Sequence, residues 1–417
     1  MKLQFLFFVI ILFCTFAKAQ FQEDKLLPEI KQITVLPEFN NAWLNNNLAT
    51  DIAGILSLNP NYSNVGALVI KNGYQTLFNQ FSATPEYSYN ESIYRNFYPQ
   101  KNQSLNYIGI ISANDTALYR SPFTDYKGWK MIETLKESRD TITLDRSSHR
   151  MLLGRYQQLP LEKTYREIRF NSQLGNKPIV LPQLSPQNIF GLSTSQIFQG
   201  MLHIIDGKTT QGLDLIAREY VLMQIFIRGE HHTLRNSHYY WQLADFIYFT
   251  IEQLIDFELI TGQDLQHPLF TMIEEPLLTR TELKASLAAL LQRNFSENIR
   301  QAYLELPEYQ YAALPWKEGI YVDIGGDEKR TEFLNLLYHY YDNHYQNFLL
   351  DSEITEPLMD FEQARQAWEN HNHFREYSIE LTNSYQSEYL NRLDPLLLFP
   401  HAVLDLQIEL TTKLQKR

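Results

Sequence analysis

The chain has 417 residues, with 48 acidic side chains against 36 Lys and Arg and a formal net charge of -12. That balance excludes general nucleic-acid binding, which needs basic surface to displace counterions. A single cysteine, Cys14, leaves everything after it without disulfides, thiolate metal sites or cysteine nucleophiles, so core burial must supply the stability.

The N-terminus begins with Lys2, continues with an apolar run over residues 3–16 and ends in Ala17-Lys18-Ala19. This is the pattern of a secretory signal peptide, residues 1–19, cleaved after Ala19. The run of about 14 residues is short of the ~20 needed to span a bilayer. The alternative is an uncleaved segment that anchors the chain in an inner membrane. We expect a periplasmic or secreted protein with no membrane span in the mature chain.

Residues 20–172 read as a helical but loop-rich region. The stretch 21–39, broken by Pro28 and Pro37, reads as an extended lead-in. Helical spacing appears next over 41–58, with Leu44, Leu48, Ile52 and Ile55 on one face, and again over 65–81. Residues 82–122 are rich in Asn, Ser, Tyr and Pro and read as a long irregular segment, a place for a partner to bind. One or two helices are expected over 129–159 and a short one over 162–170. Residues 173–185 read as a linker.

The central stack, residues 186–306, carries the strongest helix signals. Thr209 and Thr210 are plausible N-caps. The run 213–227 leaves almost no polar face and predicts a buried helix that closes at Gly229 in a left-handed turn. The next helix places Tyr240, Leu243, Ile247, Ile251 and Leu254 on one face. Gln242, Asp245, Glu252 and Asp256 lie roughly opposite, as a solvated face. Thr279 and Glu282 form a capping box before a strong helix former at 283–291.

A Pro- and Gly-rich break covers 306–326. In the C-terminal region, residues 327–417, Asp327 and Glu328 suit the first turn of a helix. That helix carries Tyr338, Tyr341 and Tyr345 on one stripe. A long polar helix is expected over 361–389, and a final helix over 402–414, after Asp394-Pro395. The fold class is therefore mainly α: an irregular multi-helix stack or bundle with a loop-rich N-terminal part and few or no strands.

Few motifs carry chemistry. His231, His232 and His238 lie close in sequence, and Asp245 comes seven residues later. Imidazoles and a carboxylate suit zinc, although the H-E-x-x-H spacing is absent. The bland alternative is a hydrated loop with surface histidines. Asp323 to Glu328 has the oxygens and glycines of a calcium loop but lacks its pattern, and reads as a turn. The tyrosine stripe reads as core, with a ligand groove as the alternative. No G-x-S-x-G elbow, P-loop or G-x-G-x-x-G occurs.

The N-terminal apolar segment, Asn40-Asn41-Ala42-Trp43-Leu44 and the run His149-Arg150-Met151-Leu152-Leu153-Gly154-Arg155-Tyr156-Gln157-Gln158-Leu159 resemble a group of uncharacterised exported proteins of proteobacteria. The resemblance implies an envelope address and no particular chemistry. The expectation is a non-enzymatic binding protein that needs no cofactor and contacts another envelope protein or envelope component. The alternative is a metal-dependent envelope hydrolase with zinc on His231, His232, His238 and Asp245. A third reading is a small-ligand carrier with a tyrosine-lined cavity around residues 338–345.

Overall fold

The computed structural model describes residues 25–35, 45–56, 131–137, 139–148, 150–167, 172–174, 177–179, 186–230, 234–305, 311–313, 321–323, 326–350 and 388–416. These residues are mainly helical, as expected. The expectations for 65–81, 82–122 and most of 361–389 fall outside them. The chain forms two compact units, residues 1–36 with 284–398, and residues 37–283 with 399–417. We refer to them as the first and second unit.

The second unit is built around three long helices. They are α6 (Pro186–Ile205), α7 (Thr209–Ile227) and α8 (Leu234–Asp256). Before them come α2 (Leu48–Leu56), α3 (Met131–Glu137), α4 (Arg139–Ser148) and α5 (Arg150–Tyr156), then a two-stranded antiparallel ribbon, β1 (Ser172–Leu174) and β2 (Lys177–Ile179). A short helix α9 (Pro268–Glu274) comes after α8.

α6 opens at Pro186, where a missing N–H costs nothing and a fixed φ favours the first turn. Its residues from Ile189 to Phe198 are all buried, Ser193, Thr194, Ser195 and Gln196 included. It ends in a Schellman closure. Gly207 adopts φ +75°, and the Lys208 and Gly207 amides donate to the carbonyls of His203 and Ile204 at 2.8 and 2.9 Å.

α7 is the buried helix the sequence predicts, with Leu213, Ile216, Tyr220, Leu222, Met223 and Phe226 at 1% exposure or less. Two details differ. Thr209 and Thr210 are the first helical residues, and Lys208 holds the cap position without a side-chain bond. Gly229 stays out of the left-handed region, and the chain leaves it in extended form. α6 and α7 touch through backbone at Gly200 and Gly212: a Cβ on Gly200 would lie 2.7 Å from the Gly212 carbonyl oxygen.

Residues 162–170 are expected to be helical, and 164–167 are instead extended, after a turn at 161–163. Their backbone is taken by neighbours. Leu48 N donates to Thr164 O at 2.8 Å, Glu230 N to Tyr165 O at 2.9 Å, and Glu167 N to Glu230 O at 2.9 Å. The strand-like pairings outweigh local helix preference, which is a weak prior. Asn47 caps α2 by accepting from Ala49 N at 3.0 Å. The same amide accepts from Arg166 N at 3.0 Å and donates to Arg166 O at 2.8 Å.

Thr279 and Glu282 form the expected capping box at the start of α10 (Arg280–Glu305). Thr279 N and Oγ1 donate to Glu282 Oε2 at 2.7 and 2.8 Å, and Glu282 N donates back to Thr279 Oγ1 at 3.2 Å. The boundary between units, after Leu283, falls inside this helix.

The last helix, α12 (Glu388–Gln415), is longer than the expected 402–414 and runs through Pro395 and Pro400. Pro400, Val403, Leu404, Gln407, Leu410 and Leu414 are buried at helical spacing in the second unit, and that burial outweighs the backbone bonds proline removes. Gln407 donates to Ile273 O at 2.8 Å and Glu275 O at 2.7 Å, and accepts from Leu277 N at 3.1 Å.

The first unit contains α1 (Pro28–Thr34), most of α10, a ribbon of β3 (Tyr311–Ala313) and β4 (Tyr321–Asp323), and α11 (Asp327–Leu350). The expectation of an extended lead-in is overturned at α1. Pro28 begins that helix rather than breaking it. Asp327 and Glu328 start α11, as expected. Among the described residues no helix is long and apolar enough to cross a membrane.

Candidate functional site

The expected metal ligands separate into two groups. His231 and His232 lie outside the described residues. His238 and Asp245 both sit on α8, seven residues and so about 10 Å apart along its axis. The His238 imidazole is half-buried, and burial lowers its pKa to about 4. Its Nε2 lies 3.0 Å from the Gln242 amide nitrogen. Among the described residues no group of three or more His, Cys, Asp or Glu is placed to hold a metal.

The acidic stripe also divides. Asp245 is 1% exposed, so it belongs to the interior and not to a solvated face. α8 is covered on nearly every side at this level, with Trp241, Ala244, Phe246 and Tyr248 all buried. Glu252 and Asp256 instead receive Lys413 from α12, Glu252 at 3.2 Å. Burial works against the Lys413 charge, but its bonds to Asp256 and Glu252 outweigh that and hold its pKa above the usual value.

A buried polar cluster joins α5, α6 and α7. The Tyr156 hydroxyl lies 2.5 Å from Ser193 Oγ and donates to Glu219 Oε2 at 2.6 Å. Arg218 donates to Glu219 Oε1 at 2.8 Å and to Tyr156 O at 2.5 Å, with its guanidinium 5.1 Å from the Tyr156 ring centre. Burial raises the Glu219 pKa despite the adjacent Arg218 charge, and raises Tyr156 well above 10. Glu219, Ser193 and Tyr156 are at 0–2% exposure, so this cluster ties the three helices together from inside. Its sequence signal is an Arg-Glu pair inside an otherwise apolar run, which apolar spacing over 213–227 does not register.

The second unit also holds an open cavity of about 520 Å³ beside the extended segment, lined by Lys163, Thr164, Arg166, Arg228 and Glu230 among others. Its cations are engaged. Lys163 pairs with Asp51 at 2.7 Å, and Arg228 donates twice to Leu277 O, at 3.2 and 3.3 Å.

The tyrosine stripe gives the site with the most distinct chemistry. In the first unit a groove of about 390 Å³ runs between three helices. α11 supplies Tyr338, Tyr341, Asp342, Tyr345 and Gln346. α10 supplies Gln292, Phe295, Ser296 and Ile299, and α1 supplies Glu29, Gln32 and Ile33. Each set keeps the three- and four-residue spacing of one helical face. Tyr341 is buried and stacks on Phe295, with centroids 4.6 Å apart and planes 9° from parallel. Its hydroxyl accepts from Asn298 at 3.2 Å. Tyr338 and Tyr345 are half-exposed at the groove wall. The stripe is thus both core and groove.

Short as it is, α1 is held at both ends. Ile30 is fully buried. Asn335 of α11 accepts from Leu27 N at 3.2 Å and donates to Lys25 O at 3.1 Å. Arg300 of α10 donates to Ile33 O at 2.8 Å, satisfying a carbonyl that the helix end leaves open. The backbone that carries Glu29 and Gln32 at the groove rim is thereby held, and both side chains are exposed. No described residue lining it is basic. Tyr338 has a raised pKa, first from burial and then from the charges of Asp342 and Glu29.

No family model matches the chain, and neither the curated proteins nor the solved structures contain a significant match to it.

Proposed function

We propose that this is an exported, non-enzymatic binding protein of the cell envelope, and that it holds its ligand in the tyrosine-lined groove between α1, α10 and α11. The observation that carries the reading is the groove itself. Small-ligand sites are concave, mostly apolar and aromatic, and carry a few fixed polar groups. Here two half-exposed tyrosines, a stacked Phe295–Tyr341 pair and two carboxylates share one depression of about 390 Å³. The address rests on the N-terminal signal pattern, Lys2 through Ala19.

The test fills the groove. Ser296 sits half-buried on the α10 face, and Ser296→Trp would occupy the depression. Protein is incubated with a small-molecule extract of the host envelope and examined by native mass spectrometry. The wild type should retain a bound small molecule that the filled variant loses. Equal retention by the variant, or no retained species on the wild type, removes the reading. Elemental analysis of the same samples addresses the hydrolase alternative: stoichiometric zinc that His238→Ala abolishes would replace binding with metal-dependent catalysis.

A further inference from the structure

We infer that the ligand of this groove is an organic ammonium ion, a positively charged nitrogen carried on a small apolar body. The inference rests on the binding reading above and narrows it to one chemical class. The lining combines the two features that recognise such ions. The first is aromatic surface: Tyr338 and Tyr345 stand half-exposed at the wall, backed by the Phe295–Tyr341 stack. An aromatic face carries a negative quadrupole that attracts an alkylammonium group within about 6 Å of the ring centre.

The second is negative charge. Glu29 on α1 and Asp342 on α11 both face the groove, and no described lining residue is basic. Several other carboxylates have cations beside them: Glu252 and Asp256 have Lys413, Asp51 has Lys163, Asp405 has Arg280. Among the described residues Asp342 has the Gln346 amide beside it, at 3.4 Å from the next turn of its own helix. The hydroxyls of a neutral ligand such as a sugar can donate hydrogen bonds to these carboxylates but leave their charge unneutralised. A cation adds a direct charge interaction with both. A phosphate or a carboxylate would be repelled by the same pair.

The position of Glu29 is built. α1 has only 7 residues, yet Asn335 and Arg300 hold its two ends, so the carboxylate reaches the groove on a fixed support. The groove is open to water, where each cation–π contact is weak, so the expected affinity for a minimal ammonium probe is modest.

Isothermal titration of the purified protein with choline tests this, against 3,3-dimethylbutan-1-ol, which has the same shape without the charge. Choline should bind at least fivefold more tightly than the alcohol. Asp342→Asn and Glu29→Gln should each weaken choline about fivefold and leave the alcohol unchanged, with helicity intact by circular dichroism. Equal binding of the two probes overturns the cation inference while the groove remains a binding site. Choline binding that ignores both substitutions places the ion elsewhere and overturns it too. Absence of choline binding overturns the inference alone if the wild type still retains an extract ligand that Ser296→Trp loses. If that retention is also missing, the binding reading falls with it.

Discussion

Asn47 uses one side-chain amide to hold both backbone groups of Arg166, a residue 119 positions later in the chain. It accepts from the Arg166 N–H, donates to the Arg166 carbonyl, and still caps α2 through Ala49 N. Its exposure is 2%. Asn47→Ala should cost about 2–3 kcal/mol, combining a lost cap of about 1 kcal/mol with two orphaned backbone groups. Asn47→Asp keeps both acceptor roles, loses the donor and buries a charge. It should be no more stable than the alanine variant at pH 7 and should recover as the pH falls. Urea unfolding at two pH values separates these outcomes.

Gly200 and Gly212 let α6 and α7 meet backbone to backbone. A Cβ on Gly212 would run into the Gly200 carbonyl oxygen and the Ile204 side chain. Glycine to alanine inside a helix ordinarily gains about 1 kcal/mol. The clash is with backbone, which cannot swing aside, and overpacking costs about 1–3 kcal/mol. Gly212→Ala should therefore lower the thermal midpoint, while Gly154→Ala, with open space at its Cβ, should leave it unchanged or raise it.

Burial raises the Glu219 carboxyl above its ordinary value even with Arg218 beside it. In the pH range just above the ordinary carboxylate pKa, the folded protein then binds more protons than the unfolded chain. The stability linked to this group is full below that value and is lost as pH rises through the raised one. Glu219→Gln should remove that slope. Unfolding free energies of both proteins from pH 4 to 8 give the difference, and parallel curves would show that Glu219 titrates normally.

Asn335 pins the entry to α1 through Leu27 N and Lys25 O. Asn335→Ala should speed hydrogen exchange at the amides of 27–31 and weaken any groove ligand. Exchange in α8, which belongs to the second unit, should not change. Unaltered exchange in α1 would mean that Ile30 burial alone holds the helix.

The helical character was legible because apolar spacing on α7 and α8 is strong and the Thr279–Glu282 box is a local signal. Residues 164–167 were not legible, because their partners, Asn47 and Glu230, lie far along the chain in both directions. Pro28 misled for a different reason. A proline can end one element or begin another, and here the docking of Ile30 and the bonds from Asn335 and Arg300 decide for a beginning. Asp245 looked solvated because a helical wheel shows one helix and not the neighbours that cover it. Half of the groove could be read from the tyrosine stripe. The other half, Glu29 and Gln32, depended on recognising α1 as a helix and on its docking to two distant helices.

Gln407 has a consequence for the order of events during synthesis. It satisfies Ile273 O, Glu275 O and Leu277 N across 130–134 residues of sequence. A ribosome adding about 5–20 residues per second reaches Gln407 some 6 to 26 s after Leu277. Through that interval the turn between α9 and α10 has water for a partner, and the apolar surface that α12 will cover stands open. Refolding from denaturant, with the whole sequence present from the start, has no such waiting period, so the nascent and the refolded chain close this unit on different clocks.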